Sequence, residues 1–522
     1  MSHFSLTKLT LGVTTALTSS LSFAAAMDRS GQDVTAFLQD GTYAEAVYTH
    51  IDANVTGHDN ADLTIDDLKK YTKGNPVNDA AKEYDFFRYG VKADVNDTFS
   101  VGVLYDEPFG ADAVFTGQDN FVSRNPDDII NKLTGGRITS LAAMPTPEQL
   151  EQLAAGARQA GDGARQAGIT AKSLAEQAQQ AQAAGNLTQA QTLKTQAEQA
   201  QARAQELATQ AQTLAGRARS LTAANAIAGG VQSSLGQATT VTVNSKNLTG
   251  LVGVKLGANK NLQIYGGPAL QQIKADVALR GPAYLTSAGY DAHVSPQTKL
   301  GWVAGAAYSI PEIAFRAAVT YRSEIDYEAP IGESLPSLNY LSPTMKSGIE
   351  ARVVNADKVK ITTPQSVNFN LQTGISREHQ LLGTLDVRWV PWSDFKITPP
   401  LYHAASKVQY LKGLNLVQYS EDQWKVDLGL GKRFNDKLSG SVNVGWDSGA
   451  GNPVSSLGPV NGYYSVGGGV KYNFTPEWAL SVGGKYLKFG DATAELPNGK
   501  VVGEFKDNDG YAVGVKLAYQ GK

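Results

Sequence analysis

The chemistry within reach of this chain is narrow. Its six histidines are scattered, and cysteine is absent, so neither a thiolate metal site nor a disulfide framework can be built. No H-E-x-x-H, G-x-S-x-G or phosphate-cradling P-loop occurs, and Asp507-Asn508-Asp509-Gly510 has only the first part of a calcium loop. No catalytic residue, metal ligand or cofactor is therefore assigned. Two other groups of side chains invite attention. Arg316, Arg322, Glu324, Asp386 and Arg388 recur at spacings that place charge on one face of a sheet, where they read as an ion-pair lattice. Ile331, Leu335, Leu338, Tyr340, Leu341 and Met345 crowd one connection, and Tyr284, Leu285 and Tyr290 another. Apolar groups at that density in loops mark ligand sites or pack across one another.

The elements that must position these groups follow from export and periodicity. Lys8, the apolar stretch Leu9 to Leu21 and Ala24-Ala25-Ala26 read as a secretory signal over residues 1–26. Beyond Ala26 no apolar run reaches the roughly 18 residues of a membrane-spanning helix, so a membrane form must be a closed barrel. A formal net charge of −3 offers no footprint for nucleic acid.

Strict alternation supports the barrel. Tyr511, Val513, Val515, Leu517 and Tyr519 alternate with small or charged residues, as do Ile313, Phe315, Ala317, Val319 and Tyr321, and Leu438, Val442, Val444 and Trp446. Fourteen such segments are expected, near 42–50, 84–95, 99–109, 239–257, 262–279, 299–310, 313–328, 365–376, 380–395, 424–434, 437–449, 461–474, 479–490 and 510–520. Short turns at 96–97, 259–261, 311–312, 377–379, 435–436 and 475–477 alternate with long connections from the second strand onward. That rhythm is the one of outer-membrane barrels, with short periplasmic turns and long external loops. Tyr472, Phe474, Trp478 and Tyr519 are expected at the periplasmic rim, and Trp389, Trp392, Trp424, Trp446, Tyr463 and Phe489 toward the outer rim.

Residues 145–229 break the pattern. They are rich in alanine and glutamine, and predict two helical arms over 147–184 and 187–220 meeting at Gly185-Asn186. Pro145 and Pro147 suit a helix start. The expectation is an antiparallel hairpin in an external loop, serving as spacer, shield or contact for an external partner.

The strands and loops together resemble the FadL-type family of outer-membrane long-chain fatty-acid transporters. The segments that carry the likeness are Ile310-Pro311-Glu312-Ile313-Ala314, Thr320-Tyr321-Arg322-Ser323-Glu324-Ile325, Asp28-Arg29-Ser30-Gly31-Gln32, Leu279-Arg280-Gly281 and Trp389-Val390-Pro391-Trp392-Ser393-Asp394-Phe395. The resemblance implies a monomeric barrel in the outer membrane over residues 42–522, plugged by a short hatch-like segment over 27–41. It also implies capture of a fatty acid by apolar external loops and release through a lateral opening in the wall. Arg280 resembles a family position that meets the ligand head group, and Lys396 is a second candidate. Tyr284, Leu285, Leu338, Tyr340 and Leu341 would form the capture surface. Only about fifteen residues precede the first strand and the family's Asn-Pro-Ala is missing, which implies a reduced hatch. Three further readings are a channel for aromatic or alkane hydrocarbons, a general diffusion porin, and an outer-membrane lipid hydrolase. A porin would show open conductance to small polar solutes, and a hydrolase would depend on a serine or histidine.

Overall fold

The computed structural model describes residues 27–64 and 67–521. The leader expected over 1–26 lies outside the described residues. Fourteen antiparallel strands form a closed barrel. They are β1 (Tyr43–Asn54), β2 (Tyr84–Asp94), β3 (Phe99–Asp106, resumed as Gly110–Val114), β4 (Thr240–Leu256), β5 (Leu262–Ala278), β6 (Asp291–Ile310) and β7 (Phe315–Arg322, resumed as Ile325–Ser334). The second half comprises β8 (Lys358–Thr363, resumed as Ser366–Ser376), β9 (Leu381–Val390), β10 (Gln423–Arg433), β11 (Leu438–Asp447), β12 (Asn461–Asn473), β13 (Trp478–Gly490) and β14 (Asp509–Gln520). Each strand pairs with its sequence neighbours. The cylinder closes where β1 meets β14, from Tyr43 opposite Gln520 to Asn54 opposite Asp509.

Local chemistry explains the short turns. The Asn96 carboxamide oxygen accepts from the backbone N–H groups of Thr98 and Phe99, Asn435 from Lys437 and Leu438, and the Thr475 hydroxyl from Glu477 and Trp478. Such side chains satisfy a reversing backbone that has lost its ladder partners. All six expected turns lie at one end of the barrel.

The wall has two faces. Outward side chains in the middle of the strands are apolar and bare: Val442 is 61% exposed, Val466 56% and Leu428 52%. Inward neighbours such as Ser439, Asn443, Lys516 and Asp427 are buried. An apolar belt of that extent is stable only against hydrocarbon. No helix among the described residues is long and apolar enough to cross a membrane. Aromatic rings edge the belt as expected at Tyr472, Phe474, Trp478, Tyr519, Trp389, Trp424 and Trp446. Three of the expected rim residues turn inward instead. Trp392, Tyr463 and Phe489 are 0%, 3% and 4% exposed and belong to the interior core. Tyr463 and Phe489, paired with each other, keep the inward phase of Ser465 and Lys485 in unbroken period two, while Tyr464 shares the outward phase of Val466 and is 69% exposed. Trp392 lies past Pro391 in a short 3₁₀ turn.

The long connections build a roof. Strands Gly57–Asn60, Lys73–Val77, Val454–Ser455, Ala492–Glu495 and Val501–Phe505 form a small separate sheet. Between β3 and β4 lie a short helix α1 (Pro126–Leu133) and the hairpin of α2 (Pro147–Ala183) and α3 (Leu187–Ser233). Thr146 opens α2 through a reciprocal cap with Gln149. The arms, ~56 and ~70 Å long at 1.5 Å per residue, meet along a seam of small residues. Ala157, Ala171 and Ala178 on α2, and Ala190, Ala197 and Ala218 on α3, are buried at multiples of seven residues. Helix α3 runs to Ser233 rather than stopping at 220, because its last turns are enclosed. Ala224 through Val231 are buried, and a Cβ at Gly229 or Gly230 would lie 2.2 Å from the Tyr340 ring or the Ala288 carbonyl. The polar hairpin is thus rooted in the roof by an apolar foot.

Candidate functional site

Beneath this roof the N-terminal segment, residues 27–41, enters the lumen and is almost wholly buried. The charges that alternate along the inner wall take hold of it. The Arg388 guanidinium grips Asp28 through both carboxylate oxygens at 2.7 and 3.0 Å, and also donates to Gln32 and Asn368. Arg88 meets Asp33 at 3.1 Å, Arg316 donates to the Leu38 carbonyl, and Lys92 donates to the carbonyls of Gln39 and Gly41. Phe37, 0% exposed, sits over Gly102 and Gly253, where a Cβ would approach its ring to 2.7 and 3.0 Å. Of the charges expected to form a lattice, Arg388 and Arg316 brace the segment, Arg322 donates to Thr249 and Asp386 accepts from Asn370 in the wall, and no two of them pair with each other among the described residues. Glu324 takes no part, being exposed where β7 breaks.

The segment also reaches the wall itself. The β2–β3 ladder runs from Asp94–Ser100 to Tyr89–Tyr105 and stops, with one further bridge at Ala81–Ala113. In between, β3 is interrupted at Glu107-Pro108-Phe109, where proline has no N–H to offer a ladder. Phe109 turns inward and packs edge-on against Trp392 at 5.6 Å. The N-terminal residues fill the place of the missing partner from inside. Arg29 donates its N–H to the Pro108 carbonyl, Gly110 donates to the Met27 carbonyl, and Asp28 bridges Phe109. A Cβ at Gly110 would lie 2.2 Å from Arg29 Cζ, so only glycine lets the guanidinium lie against the strand.

Above this interruption lies a cavity of about 1100 Å³, counting the part open to solvent. Its walls are Val55, Ala80, Ala81, Ala111 and Ala113, the inward Val241, Val243, Ala275, Val277, Ala292, Val294, Ile331 and Ile361 of β4 to β8, and Ile397, Leu416, Val417 and Leu457 of the roof. Arg29 and Asp112 are the charged side chains that line it. Arg29 is 4% exposed and lies 4.1 Å over the Tyr84 ring, with its Nε buried and unbonded. Asp112 is drawn toward Lys82 at 3.9 Å.

The residues singled out in the sequence lie elsewhere. Arg280 is buried at the top of β5, with its donors spent on Gln237, the carbonyls of Leu279 and Tyr290, and Asp291 at 2.5 Å. It ties loop ends together and does not line the cavity. Lys396 is exposed on a two-residue ladder whose other member, Ile397, faces the cavity. Tyr284, Leu285 and Leu338 are 3%, 7% and 8% exposed, Tyr340 covers Gly229, and Leu341 packs on the same core. The expected open capture surface is thus a packed interior, because apolar loop residues bury more area against each other than against water. Burial pushes the Tyr284 and Tyr419 phenols well above their usual range. The sequence reading passed over Arg29 as a site residue. Its one signal was a charged pair inside a segment expected to enter a lumen.

No protein-family model matches the chain, and no curated protein matches it in sequence. Solved structures do match in shape. A FadL homologue of Pseudomonas aeruginosa superposes with a TM-score of 0.52 at 10% identity, covering 92% of this chain and 90% of that one. This chain has the FadL-type fold. The toluene transporter TodX of Pseudomonas putida gives a TM-score of 0.46 at 9% identity over 92% and 90% of the two chains. The monoaromatic hydrocarbon channel CymD gives 0.41 at 10% identity over 95% and 93%.

Proposed function

We propose that this protein is an outer-membrane channel that takes up long-chain fatty acids or similar hydrophobic molecules without energy input of its own. The observation that carries the reading is the apolar cavity set directly over an interruption of the barrel wall. A hydrophobic molecule in that cavity is sheltered from water. The interruption beside Pro108 lies level with the lipid-facing rings of Phe87 and Tyr89, so a molecule leaving there enters hydrocarbon rather than solvent. Residues 27–41 act as the hatch: they fill the lumen below the cavity and patch the wall from inside. A solved structure of this fold is a FadL homologue, which is in keeping with transport of hydrophobic molecules. Apolar walls also suit a neutral aromatic or alkane hydrocarbon, which is the second reading.

The test is uptake of labelled oleate by cells lacking their own fatty-acid transporter, with and without this protein. Uptake above background with the protein present is the expected result. If the barrel assembles in the outer membrane and oleate uptake stays at background while a labelled hydrocarbon enters, the second reading replaces the first.

A further inference from the structure

We propose that Arg29 anchors the head group of the ligand, so that the cavity selects an apolar molecule ending in a carboxylate over a neutral one of equal length. The inference rests on the transport reading above and concerns how its site chooses. A buried guanidinium is costly unless something compensates it. Among the described residues Arg29 forms no ion pair, and its Nε is buried without a hydrogen-bond partner. The neighbouring carboxylates have other attachments. Asp28 is held by Arg388 at 2.7 Å, Glu107 accepts from the Tyr105 hydroxyl at 3.2 Å, and Asp112 is drawn to Lys82. What Arg29 does touch keeps it in place without neutralising it. The face of Tyr84 supports the cation at 4.1 Å, and the bare backbone of Gly110 backs it.

The fork of an arginine matches a carboxylate geometrically and in charge. With the head group on Arg29 at the floor, the tail runs up between β4 to β8 and the roof, where the walls are alanine, valine, leucine and isoleucine. A neutral hydrocarbon would fill the same walls and give the guanidinium no anion to pair with, so discrimination resides at one end of the ligand. Neither Arg280 nor Lys396 can do this, since neither lines the cavity.

The experiment is equilibrium binding of labelled oleate and of labelled oleyl alcohol to the purified full-length barrel in detergent, for the wild type, Arg29→Gln and Arg29→Lys. The wild type should bind the acid more tightly than the alcohol. Arg29→Gln should lose about 10- to 100-fold of the affinity for the acid while leaving the alcohol unchanged, the size expected for a buried charge-assisted hydrogen bond. Arg29→Lys should recover part of the difference. Unchanged oleate binding in a folded Arg29→Gln barrel overturns the assignment and leaves the transport reading intact. Should that variant fail to fold, the wild type alone decides: equal affinity for acid and alcohol overturns the proposal. If the wild type binds neither molecule, the transport reading falls and the anchor with it.

Discussion

Replacing Arg388 by alanine should free the N-terminal segment while sparing the barrel. Asp28 is 1% exposed, and the Arg388 fork is its one ion-pair partner among the described residues. Removing the arginine strands a buried carboxylate, and breaking such a pair costs about 3–5 kcal/mol. Strand β9 keeps its ladders on both sides through backbone groups alone, from Val367–Trp389 and Trp389–Trp424 downward. The loss therefore falls mainly on docking of residues 27–41. The undocked fraction should rise by roughly 100- to 4000-fold. Hydrogen exchange read by mass spectrometry, peptide by peptide, is the assay. Peptides covering 27–41 should exchange faster by about that factor, while those of β9 and β10 keep their protection. The double variant Arg388→Ala, Asp28→Asn removes the stranded charge and should recover much of the protection. Equal deprotection of the segment and the whole barrel would refute this reasoning, as would no change at all.

Other outcomes follow from the same geometry. Gly102→Leu should displace Phe37, whose ring lies 2.7 Å from the site of the new Cβ, and make residues 27–41 sensitive to protease in intact barrels. Val442→Lys, at the middle of β11 on the lipid side, should lower the stability of the barrel refolded in bilayers by about 2–4 kcal/mol, measured by denaturant titration. In a water-exposed sheet it would cost almost nothing. Burial pushes the Asp119 carboxyl in the roof from its ordinary value near 3.8 up to about 6, helped by the charge of Asp59. The folded roof then favours the protonated form, so its stability should fall as pH rises from about 4 to about 6, by on the order of 3 kcal/mol. Asp119→Asn should remove that pH dependence, with proteolysis of the loop from 115 to 125 as the readout.

What could be read from the sequence was what repeats locally. Strand faces such as 511–519 and 313–321 announce themselves by period two, and the turn at Asn435-Asp436 carries its own hydrogen-bonding side chain. The two helical arms were legible for the same reason, through composition and the break at Gly185-Asn186. Recognition across the lumen was not. Arg388 and Asp28 are separated by 360 residues, and Arg316 and Leu38 by 278, so no window along the chain could join them. The roof sheet escaped because it draws one or two short strands from each of several loops. The foot of α3 was cut short because Ala-Asn-Ala-Ile-Ala-Gly-Gly weakly favours a helix by itself, and tertiary enclosure decides. Tyr463 and Phe489 are placed outward by their nearness to strand ends, whereas period two counted from Ser465 and Lys485 puts both on the inner face. Arg29 escapes a sequence reading because the cavity it lines is assembled from strands and loops spread over more than 400 residues.

The closure of the cylinder sets the order in which the molecule can be made. The last seam, β1 with β14, joins residue 43 to residue 520, so it forms only after nearly the whole chain has been delivered. Residues 27–41 are connected directly to β1 and lie inside the ring that this seam completes. Gathering them into the lumen before or while the ring shuts spares them from threading into a finished cylinder. The lumenal ion pairs are thus assembly instructions as well as fasteners, and a chain whose leading segment arrives late would close around nothing.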